Sequence, residues 1–431
     1  MEAAGLYLFL PFAILLLLGV PIAVALGVAC AILIFFGPVH IPPLIMVMEM
    51  TSALNQFALL ALPMFVLTGE LLNRCDLTDK LVDVAKLTVG WIKGGLGHVN
   101  IVTSMFFAGI SGSVLADTAS IGPILIPAMI KEKYPRAFSA AITAASSVVG
   151  AIIPPSIPMI IIGGQLGISI GGLFAGGLIP GVLVGLALMI VTYVISASRN
   201  YGEPHKFEGI VPVAKGSITA LPALFIPVLL LGGILGGIFT PTEAGAVAAF
   251  YTVLIGTFYY RTLTMTKFVQ AVMASIRVTS STLLILGTAF IFSKLLTYFQ
   301  VPQDVLDLLL SITENRILLI LIIIAFFLVM GTFMDAVANM IILGPLLMPV
   351  MVQGLGMEEI QFGIFLMFGL LLGLVTPPLG LCLFVASPIA RVSIERTAVA
   401  VIPFLLAEIL VLFSIAFFPG ITMYIPRALG F

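Results

Sequence analysis

Gly109-Ile-Ser-Gly-Ser-Val-Leu-Ala-Asp-Thr118 sits in the middle of an apolar run from Val99 to Ile130. As one helix, a run of that length would reach roughly 48 Å, against a hydrocarbon core of about 30 Å. Two half-length helices that enter and leave on one side, meeting at a polar, glycine-bearing tip, use the length without waste. Irregular backbone at membrane depth is tolerated only where it is buried in protein or lines a cavity, so the tip itself predicts a site.

The pattern returns 222 residues on: Gly109, Ala116, Gly122, Pro123, Leu125, Pro127 and Met129 recur as Gly331, Ala338, Gly344, Pro345, Leu347, Pro349 and Met351. The chain is an internal duplication. In the second tip, Gly331-Thr-Phe-Met-Asp-Ala-Val-Ala-Asn339, Asp335 stands where Ser113 does and Asn339 where Asp117 does. Paired interrupted segments in two halves of a membrane protein point to a transporter's binding site.

Composition sets the class. Of 431 residues 61% are hydrophobic and 9% charged, with no polar segment long enough for a soluble domain, so the fold class is an all-α integral membrane protein. Met1-Glu-Ala-Ala lacks a basic stretch, so the first apolar segment is expected to be a permanent helix and not a cleaved signal. Cys30, Cys75 and Cys382 have neither metal nor redox spacing and read as small apolar residues. A net charge of -1 without a basic tract excludes nucleic acid as a partner.

Two halves follow, 1-215 and 216-431. The first is expected to hold short helices at Leu6–Leu18 and Pro21–Phe36, a long helix Leu44–Leu72, and an amphipathic segment Leu77–Val89. Hairpin 99-130, broken helix 137-166 around Gly150-Ala-Ile-Ile-Pro-Pro-Ser-Ile-Pro158, and helix 173-195 complete it. The second half holds helices Thr219–Leu235, Thr242–Tyr259 and Lys267–Tyr298, then amphipathic Val301–Ile312, hairpin 317-350, broken helix 358-388 and helix 397-417. Leu77, Leu81, Val84 and Leu87 share a face that Asp79, Lys80, Asp83 and Lys86 avoid, so this segment is expected to lie along the interface. Thr240-Pro-Thr-Glu243 reads as a capping box.

Charge tests the topology. With both hairpins re-entrant, Arg74, Lys80, Lys86, Lys93, Lys131, Lys133, Arg136 and the basic residues of 199–267 and 391–396 fall on the cytoplasmic side. Only Arg316 and Arg427 fall outside, beside Asp304, Asp307, Glu314, Glu358 and Glu359. The halves then have opposite orientation.

The four interruptions converge if the repeats are related by a pseudo-twofold axis in the membrane. Ser111, Ser113, Ser156, Gly331, Thr332, Asp335 and Thr376 are the candidate sodium ligands, with carbonyls of Gly109 and Ile152. Asp117, Thr118, Pro155, Asn339, Pro378 and Lys294 are candidates for the substrate. An aspartate at the centre of a span costs roughly 2.5–3.5 kcal/mol on insertion scales, which asks for a cation. Helix N-termini at the breaks suit an anion.

Each group also has a plainer reading. A membrane serine or threonine often bonds back to its own helix. Asp117 is as well suited to capping the returning half-helix as to binding an ion, whereas Asp335, flanked by helix formers, has no comparable capping role. Lys294 can snorkel to an interface or neutralise a substrate charge. Glu49 and Glu70 read as near-interface residues, and His40, His98 and His205 form no metal set.

Five stretches carry a resemblance: Gly112-Ser-Val-Leu-Ala-Asp117, Ile153-Pro-Pro-Ser-Ile-Pro158, Phe239-Thr-Pro-Thr-Glu-Ala244, Gly331-Thr-Phe-Met-Asp335 and Thr376-Pro-Pro-Leu-Gly-Leu381. Over essentially its whole length the chain resembles the large membrane (M) subunit of tripartite ATP-independent periplasmic (TRAP) transporters. The resemblance implies an elevator-type secondary transporter of the bacterial inner membrane, driven by sodium. It implies a carboxylate substrate, such as sialic acid or a C4-dicarboxylate, delivered by a periplasmic substrate-binding protein. A small four-helix membrane subunit is expected as a separate chain, since no fused segment precedes this one. The family's sodium positions look like Ser111, Ser113, Ser156 and Asp335. The rival classes are a binding-protein-independent carboxylate transporter, a passive channel, and an intramembrane aspartyl protease, the last disfavoured because Met334 precedes Asp335.

Overall fold

The computed structural model describes residues 2–37, 41–75, 77–202, 209–313 and 315–431. His40, His205, Lys206 and Glu314, on which the charge and metal readings partly drew, lie outside the described residues, as do the side chains of Ser111 and Lys215.

The described chain is helical throughout. It begins with α1 (Glu2–Leu17), α2 (Ile22–Phe36) and α3 (Leu44–Leu54), followed by α4 (Ala61–Arg74) and α5 (Leu77–Val89). Next come α6 (Gly95–Ser111), α7 (Val114–Lys131), α8 (Arg136–Ile152), α9 (Ile157–Leu166) and α10 (Ile170–Arg199). The order then repeats from α11 (Ile210–Leu235) and α12 (Pro241–Leu254). α13 (Met265–Tyr298), α14 (Val301–Ile312), α15 (Arg316–Phe333) and α16 (Ala336–Met348) match α4 to α7. α17 (Glu359–Leu372), α18 (Leu381–Ala390) and α19 (Ile394–Phe417) match α8 to α10, and α20 (Pro419–Leu429) closes the chain. Among the described residues seven helices are long and apolar enough to span a membrane, or eight if α8 and α9, bent by 44°, form one broken span.

Local chemistry explains most boundaries. The two amphipathic segments fold as α5 and α14 with the bounds their periodicity predicts. α12 opens on a complete capping box, with Thr240 Oγ1 accepting from Glu243 N and the Glu243 carboxylate accepting from Thr240 N. The expected helix Leu44–Leu72 is instead interrupted: α3 ends at Leu54 and a 3-10 turn, Phe57–Leu60, precedes α4. Asn55 and Gln56 are poor places to continue an apolar helix, and the Phe57 carbonyl accepts from Thr242 Oγ1 at 3.2 Å. α20, beyond the expected last helix, starts on Pro419 and packs on α10, with the Phe431 ring against Gly171.

Two groups of helices emerge from the packing. α4 lies against α12 and α13, and α13 also against α2 and α3; on the other side α6 to α10 pack with α17 to α20. α5 touches both α11 and α6, while α14 touches both α13 and α16, so each amphipathic helix joins the flanking group to a tip-bearing helix.

The two tip-bearing units are built differently inside. Between α6, α7 and α8 runs a buried polar seam: Asn100 Nδ2 donates to Thr143 Oγ1 at 2.7 Å, Ser146 Oγ to Asn100 Oδ1 at 2.9 Å, and Ser104 Oγ to Asp117 Oδ2 at 2.8 Å. Between α15 and α17 the corresponding space is filled by Phe327 and Phe365, with ring centroids 5.5 Å apart.

Candidate functional site

The interruption in the first tip is two residues long. Gly112 takes a left-handed conformation (φ 58°) that ends α6, and extended Ser113 starts α7. Residue 112 has to be glycine for a second reason: a Cβ there would meet Pro155 O and Ile157 N at 3.0 Å. In the second tip Met334 and Asp335 are both extended, and α16 begins at Ala336. The broken helices turn at Pro154-Pro155 and Pro377-Pro378, each through a cis bond.

Three of these four breaks aim helix N-termini at one cavity of about 270 Å³, and the α18 start after Pro377-Pro378 does not line it. The α7 start contributes Gly112 to Ala116, the α9 start Ile157 and Pro158, and the α16 start Asp335 to Val337. The opposite wall belongs to the flanking group, with Glu70 and Asn73 of α4 and Ser281 and Thr282 of α13. Neither Ser113 nor Ser156 caps its own helix with its side chain, which leaves first-turn N–H groups of α7 and α9 for another acceptor. First-turn amides and the helix dipole together favour a bound anion.

The two aspartates exchange the roles their sequence context suggests. Asp335 is the N-cap: its Oδ1 accepts from Val337 N at 2.9 Å and from Ala338 N at 3.4 Å. Asp117 caps nothing. It lies inside the first turn of α7, fully buried in the polar seam, with Oδ2 taking the Ser104 hydroxyl and Oδ1 left without a partner. Asn339, the second-repeat counterpart of Asp117, also turns inward: its Nδ2 donates to Met330 O at 3.0 Å and Met334 O at 3.4 Å, closing the second tip.

Of the remaining candidates, Ser113 lines the cavity with Asp335. Ser156 is buried and donates to Ala151 O at 2.5 Å; Thr118, Thr332 and Thr376 donate to Val114 O, Val329 O and Leu372 O. These four hydroxyls bond back to the backbone in or beside their own helices, the plainer of their two readings. Gly331 packs directly on Gly373, Pro155 is buried and Pro378 exposed, and none of the three lines the cavity. Lys294 is exposed in a separate cavity of about 220 Å³ with Glu49 and Tyr298, its Nζ 5.8 Å from the Phe290 ring centroid. Lys294 thus does not line the tip cavity.

Glu70, Asn73, Ser281 and Thr282 were not legible as site residues. The available signals were Glu70 and Asn73 three residues apart on one helix face, and the polar run Thr279-Ser-Ser-Thr282 within an apolar helix. Glu408 also escaped: it is fully buried in the middle of α19, with no partner for either carboxylate oxygen among the described residues. Among the described residues no three His, Cys, Asp or Glu side chains stand close enough to hold a metal ion together.

The seam gives a stability prediction. Asp117→Ala removes the carboxylate that accepts from Ser104 in a fully buried site and leaves that hydroxyl only the longer bond to Ser146 Oγ at 3.1 Å, a change that costs about 1 kcal/mol. Thermal unfolding in detergent should show a lower midpoint for Asp117→Ala than for Asp117→Asn, whose amide oxygen can still accept.

Comparison with known proteins agrees with this architecture. The model of the family described as "Tripartite ATP-independent periplasmic transporter, DctM component" matches residues 9–421. The sialic acid TRAP transporter large permease protein SiaM of Vibrio cholerae is 37% identical, over 88% of each chain. The C4-dicarboxylate TRAP transporter large permease protein DctM of Pseudomonas aeruginosa is 34% identical, over 94% of each. The isethionate TRAP transporter permease protein DctMQ of Oleidesulfovibrio alaskensis is 38% identical over 97% of this chain, which spans 65% of that protein's length. These relatives are permeases, not enzymes. Among solved structures, the YdaH transporter of Alcanivorax borkumensis superposes with a TM-score of 0.65 at 14% identity, covering 95% of this chain and 98% of that one. MtrF of Neisseria gonorrhoeae gives 0.56 at 14% identity, covering 94% of each. With a family model spanning nearly the whole chain and permeases of that family matching 88% and 94% of it, the protein belongs to the DctM family, the large membrane subunits of TRAP transporters.

Proposed function

We propose that this chain is the membrane-translocating subunit of a sodium-driven importer of organic acids, working by an elevator movement in the bacterial inner membrane. The observation that carries the reading is the single cavity lined by three helix starts, from both halves of the chain, on one wall and by α4 and α13 on the other. The substrate's carboxylate meets the first-turn amides of α7 and α9. Sodium sits beside it, held by Asp335, whose Oδ1 is occupied by the cap while Oδ2 remains for a cation, with Ser113 and tip carbonyls completing an oxygen set. α6 with α7 and α15 with α16 are re-entrant hairpins of two inverted repeats, and they slide with the broken helices against α4, α11, α12 and α13.

A small separate membrane subunit clamps the flanking helices, and a periplasmic binding protein delivers the acid. The substrates named for these relatives, isethionate, sialic acid and C4-dicarboxylates, are all organic anions, which supports the anionic class without choosing a member.

The decisive assay is uptake into proteoliposomes holding this chain, the small subunit and the binding protein, with sialic acid and C4-dicarboxylates tested under an inward sodium gradient. Uptake that follows the gradient and needs the binding protein supports the reading; flux that ignores the gradient makes the protein a channel. The inverted repeat has its own check. Single cysteines at the exposed positions Asp83 of α5 and Asp304 of α14 are expected to react with an impermeant thiol reagent only from the cytoplasmic and only from the periplasmic side, respectively. Labelling of both from one side removes the inverted arrangement.

A further inference from the structure

The tip cavity has a neighbour at α4. Glu70 and Asn73 line it and also line a second cavity of about 360 Å³, whose other walls are Arg74, Thr78, Asp79 and, from α7, Ser120 and Ile124. The two spaces therefore share one turn of α4 as a common wall, and the second extends toward the C-terminal end of that helix. Resting on the organic-anion reading and its orientation, this is the way out toward the cytoplasm.

Charge along that way is uneven. Among the described residues lining the tip cavity there is no lysine or arginine, while Glu70 and Asp335 bring two carboxylates. Among the described residues lining the second cavity Arg74 is the one basic group, beside the carboxylates of Glu70 and Asp79. Its guanidinium is held in place: Nη1 donates to Gln270 Oε1 of α13 at 3.0 Å, and Nε stands 3.6 Å from Glu70 Oε2, too far for a hydrogen bond, and is buried without a partner. Both side chains are about one-third exposed or less. A planar guanidinium tethered at one edge, with an unsatisfied N–H at the other, is suited to a carboxylate or sulfonate.

We propose that Arg74 forms a second anion subsite at the cytoplasmic mouth, where the substrate's acid group is received as it leaves the tip cavity and where Glu70 competes for the same guanidinium. Release then runs down a ladder of counter-charge: helix-start amides first, Arg74 second, water last. Glu70 returns to Arg74 when the anion has gone, which keeps the mouth from holding the product.

The test reads charge at the mouth and does not depend on which acid is carried. In the full chain with Ser120→Cys as reporter, the native cysteines being buried, the rate of modification from the cytoplasmic side is measured with two thiol reagents. One is anionic, sulfonatoethyl methanethiosulfonate; the other is its trimethylammonium counterpart. Arg74→Gln should lower the anionic-to-cationic rate ratio about tenfold at low salt. Arg74→Lys, which keeps the charge, should stay near the parent value, and Glu70→Gln should raise the ratio.

An unchanged ratio in Arg74→Gln, or an equal fall in Arg74→Lys, overturns the subsite, because a merely structural tie to Gln270 would give one of these. If Arg74→Gln does not fold, Glu70→Gln decides: a ratio that does not rise overturns the proposal. Failure of the transport reading shows elsewhere, as a parent protein that takes up no organic acid with its partners present.

Discussion

Asp335→Asn is expected to insert and fold normally, yet to show little uptake and a strongly right-shifted sodium dependence. Asparagine matches aspartate as an N-cap, so the bonds from Val337 N and Ala338 N to the side-chain oxygen survive, and with them the start of α16. What disappears is the negative charge at the cavity wall. Interactions of a charged group are worth roughly 1.5–3 kcal/mol, or about 10–150-fold in half-saturating sodium. Asp335→Ala removes the cap as well and should cost a further ~1 kcal/mol of stability, seen as a lower unfolding midpoint. The pair of variants separates the two roles of one side chain. If Asp335→Asn keeps the parent's sodium dependence in folded protein, the residue is a cap only and the proposed cation site loses its charge.

Gly373→Ala should be strongly destabilising for so small a substitution. A Cβ at residue 373 would lie 2.3 Å from Gly331 Cα and 2.4 Å from Gly331 C, and a Cβ at residue 331 would lie 2.6 Å from Leu370 O. Every atom met is backbone, so no side chain can rotate away; α15 and the end of α17 have to separate by about an ångström. Overpacking of a tight core costs typically 1–3 kcal/mol, and with two backbones in contact the upper end, about 3 kcal/mol, is expected. Gly420→Ala is the matched control, since a Cβ there meets nothing within 4 Å. Melting of the purified proteins in detergent should leave Gly420→Ala near the parent and lower Gly373→Ala by several degrees. Equal midpoints would mean that the glycine-on-glycine contact is absent from the folded protein.

The two tips illustrate how differently one motif can be used. Asp117 and Asn339 occupy equivalent places and both turn inward, one to hydroxyls across the hairpin, the other to carbonyls of its own tip. Ser113 and Asp335 are likewise equivalent, and both reach the cavity. The duplication thus separates an inward structural position from an outward cavity-lining position in each half, a division visible in the register of the repeat once one half has been seen folded.

Much of the architecture was legible because it rests on local rules. Amphipathic periodicity marks α5 and α14 to the residue, Thr240 and Glu243 announce a capping box, and Pro154-Pro155 and Pro377-Pro378 break the helices they fall in. The duplication is written in spacing alone. Only the tertiary structure decided which polar groups face the cavity. A threonine such as Thr332 or Thr376 can satisfy its hydroxyl on its own helix or on a ligand, and the choice is made by its rotamer and its neighbours, which the sequence does not contain. Asp335 and Asp117 take each other's expected places as cap and core group, because a shift of a few residues in the helix start reverses their roles. Glu70 becomes a site residue because α4 is a separate helix, set by a break whose freed carbonyl at Phe57 is taken up by Thr242, 185 residues away in the chain.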